Sequence, residues 1–232
     1  MCGRYASARS VQDLAVAFGI RDEQVEADVA ADWNVAPTKP IAVVLDRGAG
    51  VVLTTVRWGL VPSWADDPSI GSRLINARLE TAWEKPAFRS SLAERRCLVP
   101  ADGWYEWAAL PDGSRQPYFL SRDDGEVLAF AGLWDVWRDA EGRPLPTATI
   151  LTGAAPPDLR TVHERAPVVL PPSSWARWLD RASGADDVRE VLRPTSPGVV
   201  RPRPVGPDVG DVRANGPGLV EPVEVVEQPP LF

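Results

Sequence analysis

Two cysteines and a single histidine are all that these 232 residues offer to a soft metal. That scarcity excludes the zinc sites built on clustered Cys and His, and it leaves His163 as the one imidazole for acid–base work. Methionine occurs only at position 1, and lysine only as Lys39 and Lys85, so nearly all of the 25 basic residues are arginine. No apolar run approaches the roughly 20 residues that span a bilayer, which excludes a membrane-spanning helix. The start, Met1-Cys2-Gly3-Arg4, lacks a basic segment followed by an apolar one, so no secretory signal is read there and a cytosolic protein is expected. A net charge of −7 argues against a nonspecific binder of duplex nucleic acid, whose affinity comes mostly from neutralised phosphates. Basic and acidic residues balance between Arg57 and Trp107, so the excess acid lies elsewhere, mainly after Ala108.

What is present fits one globular domain. The chain is 44% hydrophobic and 25% charged, enough for a sizeable core, and its 10 Trp make that core unusually aromatic. Val11, Leu14, Ala15 and Phe18 recur at helical spacing behind Ser10, a suitable N-cap. Ile41 to Leu45 and Val51 to Trp58 read as strands joined by a Gly-containing turn. Helices are expected over Ala77 to Ala82, Pro86 to Arg95, Ser173 to Leu179 and Ala185 to Leu192. Strands are expected over Arg96 to Ala101, Trp104 to Ala109, Tyr118 to Ser121, Val127 to Trp134 and Thr147 to Thr152. Without a regular βαβ alternation this mixture is α+β. The core is placed at about residues 2–193. Residues 194–232, rich in Pro, Gly and Val, read as a loose tail or a set of short edge segments.

Three positions read as carriers of chemistry. Loss of Met1, expected before a small second residue, gives Cys2 a free α-amine beside its thiol, with ordinary pKa values of about 8 and about 8.5. Such a pair captures an aldehyde as an imine that the sulfur closes into a thiazolidine; a buried, inert cysteine is the bland alternative, weakened because termini seldom lie in a core. His163, in Thr161-Val162-His163-Glu164-Arg165, has a carboxylate and a guanidinium as neighbours, and imidazole moves protons in either direction near neutral pH. Glu106 shares a strand face with Trp104 while Tyr105 and Trp107 take the other. It is either a desolvated acid–base group or an edge-strand residue in water. Asn76 is explained as an N-cap, and Arg78 and Glu80 as a solvated face. The tryptophans offer stacking surfaces for unpaired bases or simply fill the core.

Taken together, seven motifs resemble the SRAP family, the SOS-response-associated abasic-site processing proteins. They are Met1-Cys2-Gly3-Arg4-Tyr5, Trp33 to Thr38, Arg57 to Trp64, Asn76-Ala77-Arg78-Leu79-Glu80-Thr81, Arg95 to Trp107, Ala131 to Trp134 and His163 to Pro167, in the family's order. The resemblance implies a single α+β domain with a β-barrel-like core flanked by short helices. It implies a groove for single-stranded DNA and an exposed Cys2 that cross-links to the ring-opened abasic-site aldehyde. It carries catalytic roles to Cys2, Asn76, Glu106 and His163, with weak lyase activity and a peptidase activity limited to removing Met1. It carries phosphate contacts to Arg4, Arg78 and Arg165, stacking beside the lesion to Trp64 and Trp107, and the pocket lining near Cys2 to Asn34 and Pro37. No metal and no cofactor is implied; the partner is single-stranded DNA bearing abasic sites, and a monomer is expected. Ala166 stands where the family usually has Met, and Val205 to Val209 fit its closing strand poorly.

The main rival is an N-terminal-nucleophile amidohydrolase, since glutamine amidotransferases also open with Met-Cys-Gly. Against it, Arg4-Tyr5 departs from the apolar residue expected next, and the Trp-rich motifs have no role. A noncovalent single-strand binder with Cys2 as a bystander is the third reading. A Cys2–Cys97 disulfide is disfavoured in a reducing cytosol.

Overall fold

The computed structural model describes residues 2–193 and 200–224. In chain order the elements begin with β1 (Tyr5–Ser7), α1 (Val11–Phe18), β2 (Asp32–Val35), β3 (Pro40–Asp46) and β4 (Val51–Trp58). Next come β5 (Asn76–Arg78), α2 (Leu79–Ala82), α3 (Arg89–Glu94), β6 (Arg96–Ala101), β7 (Gly103–Ala109) and β8 (Arg115–Arg122). The rest are β9 (Leu128–Arg138), β10 (Pro144–Ala154), β11 (Arg165–Pro167), α4 (Pro172–Leu179), α5 (Ala185–Val191) and β12 (Val200–Pro204).

Five of these strands close on themselves. β4, β3, β6, β9 and β10 pair antiparallel in that order, with Val43 opposite Thr54, Leu45 opposite Cys97, Leu98 opposite Ala131 and Trp134 opposite Ala148. A parallel pairing of β10 with β4, Ala148 opposite Trp58, completes the barrel. Closure removes the sheet edges that would otherwise need covering. Strand alternation splits the core in two. Ala42, Val44, Leu98, Ala131 and Leu133 face the helices, where Leu14, Trp178 and Val188 cover them. Val43, Leu45, Val99 and Phe130 face the other way, toward Tyr5, Trp58 and Trp104. Because both faces are covered, Ile41 to Leu45 and Val127 to Trp134 are near-continuous apolar runs rather than alternating ones.

The second sheet, antiparallel in the order β12, β8, β7, β1, β2, places β1 and β7 in its interior. Its fifth strand comes from the segment after Arg193. β12 pairs with β8, Pro202 opposite Leu120, on an edge where proline costs no ladder bond. Val205 and Val209 are fully buried against Ala6, Tyr105 and Phe119. Residues 200–224 are therefore part of the packed body, which extends past the expected core limit at residue 193. Residues 194–199 and 225–232 lie outside the described residues.

α1 forms as its spacing predicts: Ser10 Oγ accepts the Asp13 N–H at 3.1 Å, and Gly19, at φ +64°, ends the helix. The helix expected over Ala77 to Ala82 keeps only its last turn. Asn76–Arg78 is drawn into parallel pairing with β10, Asn76 opposite Ile150, and this tertiary pairing overrides the local N-cap signal. Arg78, not Asn76, occupies the N-cap position. The helix expected from Pro86 starts later, at Arg89.

Candidate active site

β1 brings the start of the chain into the core. It runs between β7 and β2, so the residues just before it pass beneath the sheet instead of ending in solvent. Cys2 is accordingly 0% exposed, packed in the cluster of Tyr5, Trp58 and Trp104. This corrects the exposed cysteine that the resemblance implied. Burial pushes the thiol well above its ordinary range, and the Glu106 carboxylate adds to the rise. A thiol in this setting stays protonated near neutral pH and needs a base in order to react. Cys97 is likewise buried and free, so the two form no disulfide.

Glu106 lies on β7 opposite Tyr118 of β8, with β1 on the other side. The strand is interior, which removes the edge-strand alternative. The expected division of faces holds: Trp104 packs toward Cys2, while Tyr105 and Trp107 pack toward Val205 and Leu219. Glu106 is 4% exposed. Burial raises its carboxyl above the usual range, and the charges of the chain's amino terminus and of His163 oppose that rise. A carboxyl so desolvated keeps its proton to higher pH than glutamate in water.

His163 sits in the turn between β10 and β11. Its Nδ1 lies 2.9 Å from the backbone nitrogen of Arg165 and 3.2 Å from the Arg165 carbonyl oxygen, which fixes the ring in place. Asn76, turned inward by β5, donates from Nδ2 to the Cys2 carbonyl at 2.7 Å. Its Oδ1 is buried and has no partner among the described residues. Cys2, Asn76, Glu106 and His163 thus converge, linked by the Asn76–Cys2 hydrogen bond and by charges that act across the group. The cluster combines a protonatable carboxyl, an imidazole, a thiol and an open acceptor. Such a set can pass protons to and from an electrophile held at the chain's start. Among the described residues no group of three or more His, Cys, Asp or Glu could hold a metal ion.

The residues expected to meet DNA divide into three groups. Trp64 and Arg78 are exposed, Trp64 at 59%. The Trp64 loop is pinned on both sides: Ser63 N–H donates to the buried Asp135 carboxylate at 3.0 Å, and Trp137 Nε1 donates to the Ala65 carbonyl at 2.6 Å. Gly59 at its base has φ +120°, and a Cβ there would lie 2.5 Å from the Gly71 carbonyl oxygen, so only glycine fits. Pro37 and Trp107 are half-buried, Trp107 against Leu219 and Val220.

Arg4, Asn34 and Arg165 are engaged within the protein. Asn34 is 0% exposed; its Nδ2 donates to the carbonyls of Val209, Asp211 and Ala214, and its Oδ1 accepts from Arg4. Its amide thus ties Arg4 to the C-terminal segment. Arg4 Nη1 also donates to the Val209 carbonyl at 2.8 Å. Arg165 forks onto Glu80, Nη1 to Oε1 at 3.1 Å and Nη2 to Oε2 at 3.0 Å. Beside this pair Leu79, Trp104, Gly153 and Ala166 line a largely apolar cleft, so the small side chain at 166 faces open space.

The sequence marks Glu80 only as part of a solvated face and does not mark Asp135. The Glu80 motif and the His163 motif each carry both signs of charge, so charge pattern alone does not pair Glu80 with Arg165. For Asp135, and for the carbonyls that Asn34 serves, no local pattern announces the contact.

A closed barrel with a second sheet that draws an N-terminal cysteine beneath it, next to Asn, Glu and His, defines the architecture of an α+β protein. The family described as SOS response associated peptidase (SRAP) matches residues 1–212, and the chain belongs to that family. It is 35% identical over 222 residues to the abasic site processing protein YoqW of Bacillus subtilis (strain 168), covering 95% of this chain and 99% of that one. It is 31% identical over 238 residues to the abasic site processing protein YedK of Escherichia coli (strain K12), covering 96% and 100%. A crystal structure of a Bacteroides thetaiotaomicron protein superimposes with a TM-score of 0.82 over 96% of this chain and 100% of its own, at 20% identity, which speaks to the fold alone.

Proposed function

We propose that this protein processes abasic sites in DNA by capturing them covalently at Cys2, acting on single-stranded DNA. The observation that carries the proposal is the cluster around residue 2. Asn76 holds the Cys2 backbone at 2.7 Å, beside a carboxyl that burial pushes above the usual carboxylate range. Relatives named abasic site processing proteins align over nearly the whole chain, which supports the same substrate.

The reaction requires loss of Met1, which turns the Cys2 nitrogen from an amide into an amine. A proton from His163 or Glu106 to the sugar ring oxygen, with the anomeric hydroxyl proton passing back to the group that gave it, breaks the ring C–O bond and opens the hemiacetal to the aldehyde. The amine adds to the aldehyde carbon, and the carbinolamine loses water to give an imine. The Cys2 thiol then gives its proton to the Glu106 carboxylate as the sulfur bonds to the imine carbon, and Glu106 returns a proton to the nitrogen that takes up the C=N electron pair. The products are a thiazolidine and one water. The buried thiol explains why a base must lie beside it. Asn76 Oδ1, an acceptor without a partner, orients the new amine or a sugar hydroxyl. The imine also permits β-elimination, so weak lyase activity accompanies capture, and peptidase activity is confined to Met1. Arg78 and Arg165 meet phosphates, and Trp64 stacks beside the lesion.

The test is a denaturing gel of Met1-processed protein with a single-stranded oligonucleotide carrying one abasic site, run beside Cys2→Ala, after intact mass has shown that Met1 is gone. A band that survives denaturation and disappears with Cys2→Ala is expected. No such band from processed protein would refute covalent capture, and glutamine hydrolysis would then be assayed for the amidohydrolase reading.

A further inference from the structure

Arg165 is one of the two rim arginines assigned to phosphates close to the reactive cluster, yet its guanidinium is already occupied. Two parallel N–H···O bonds of 3.1 and 3.0 Å bind it to Glu80, in the same two-pronged geometry a phosphodiester uses. The Glu80 side chain is 53% exposed and that of Arg165 20%, so the carboxylate covers the guanidinium from the solvent side, where a strand would approach. Arg78 stands two residues before Glu80, exposed. Hydrogen bonding from Arg165 first, and then the charges of Arg165 and Arg78, hold the Glu80 carboxyl below its ordinary range, so it is anionic at neutral pH. Arg165 Nη2 has a second anchor, the Thr152 carbonyl at 2.7 Å, which keeps the guanidinium in place when Glu80 leaves.

We infer that Glu80 is an internal stand-in for a DNA phosphate: it fills the Arg165 fork in the free protein and is displaced when a phosphodiester takes the same two donors. This rests on the DNA-binding reading above and adds a specificity-determining residue to it. Exchanging one anion for another returns little free energy, so Arg165 contributes weakly to holding DNA that offers no aldehyde. Residence then depends on the covalent step. A protein of net charge −7 would in this way avoid being retained on intact strands.

The experiment measures noncovalent binding in a Cys2→Ala background, by fluorescence anisotropy with a labelled single-stranded oligonucleotide without an abasic site, over a series of salt concentrations. Glu80→Gln is expected to bind roughly 3- to 10-fold tighter. Its log–log salt slope should stay close to that of the parent, because the same phosphate occupies the Arg165 fork in both complexes. Glu80→Ala should gain at least as much. In an Arg165→Gln background neither substitution should raise affinity, because the seat they vacate is gone. Unchanged or weaker binding by both variants would show that Glu80 merely orients Arg165, and would overturn the inference while leaving DNA binding intact. A gain that persists without Arg165 would reduce it to general charge removal and overturn it as well. No binding by parent or any variant would overturn the DNA reading and this inference together.

Discussion

Glu106, on β7, and Glu80, in α2, are both glutamates, yet the protein treats them in opposite ways. Glu106 is 4% exposed near Trp104 and Cys2, and burial pushes its carboxyl up. Glu80 is half in solvent, forked to Arg165, and its carboxyl is held down. Burial makes the first glutamate hold its proton more tightly than a glutamate in water, whereas the second is a fixed anion. The same division separates the two regions. Beneath the sheet, polar groups are few, desolvated and aimed at residue 2. Around the rim, cations stay hydrated or are satisfied by protein oxygens. A cross-linking site needs both, because proton transfer gains from exclusion of water while a charged strand must be met by groups that can exchange partners.

The comparison is put under most strain by Glu106→Gln, which keeps shape but cannot carry the proton. The rate of cross-linking to abasic single-stranded DNA should fall by about 100-fold or more. Affinity for the same DNA, measured with Cys2→Ala in both proteins, should stay near that of the parent. A loss of affinity matching the loss of rate would move Glu106 from proton transfer to strand binding and dissolve the distinction.

Asn34 sharpens the boundary from the other side. It belongs to a motif that the resemblance places near the pocket, but its amide serves three carbonyls of the C-terminal segment. Asn34→Ala should cost about 1–3 kcal/mol of stability in urea denaturation, the toll of leaving buried partners unsatisfied. Cross-linking per folded molecule should be little changed. The opposite pattern, stability intact and cross-linking lost, would place Asn34 in the site.

These two residues also show how much was legible in the sequence. The strands of the barrel follow directly from apolar runs, because a strand covered on both faces has no polar alternation to mislead. Cys2, Glu106 and His163 were visible as residue types that carry chemistry in compatible settings. Asn76 was visible only as a helix cap, since parallel pairing of Asn76–Arg78 with β10 depends on a strand more than 70 residues later. Burial of Cys2 was invisible for the same reason: it follows from β1 being an interior strand, which no property of the first five residues determines. The commitments of Arg4, Asn34 and Arg165 are long-range hydrogen bonds, and such partners leave no periodicity behind. The plug formed by Val205 and Val209 lay hidden in a segment whose prolines and glycines resemble a tail, although proline is admissible on the edge strand it forms.

The smallest effect tests the burial of Glu106 without DNA. Its carboxyl is raised in the folded protein and ordinary in the unfolded chain, so the folded state binds that proton more tightly. The stability this contributes is fully present below the unfolded value of about 4.3 and is lost as pH rises through the folded value. Glu106→Gln has no such proton to lose. The stability of the parent relative to Glu106→Gln should therefore decline from pH 4 to pH 7.5, with each unit by which the carboxyl is raised worth about 1.4 kcal/mol. Urea midpoints of the two proteins at both pH values measure it, and titrations common to both largely cancel in the difference. The amino terminus and His163 stabilise the ionised carboxylate and limit the decline. A difference that is flat across the range would mean that these cations offset the burial in full, and Glu106 would then be as permanent an anion as Glu80.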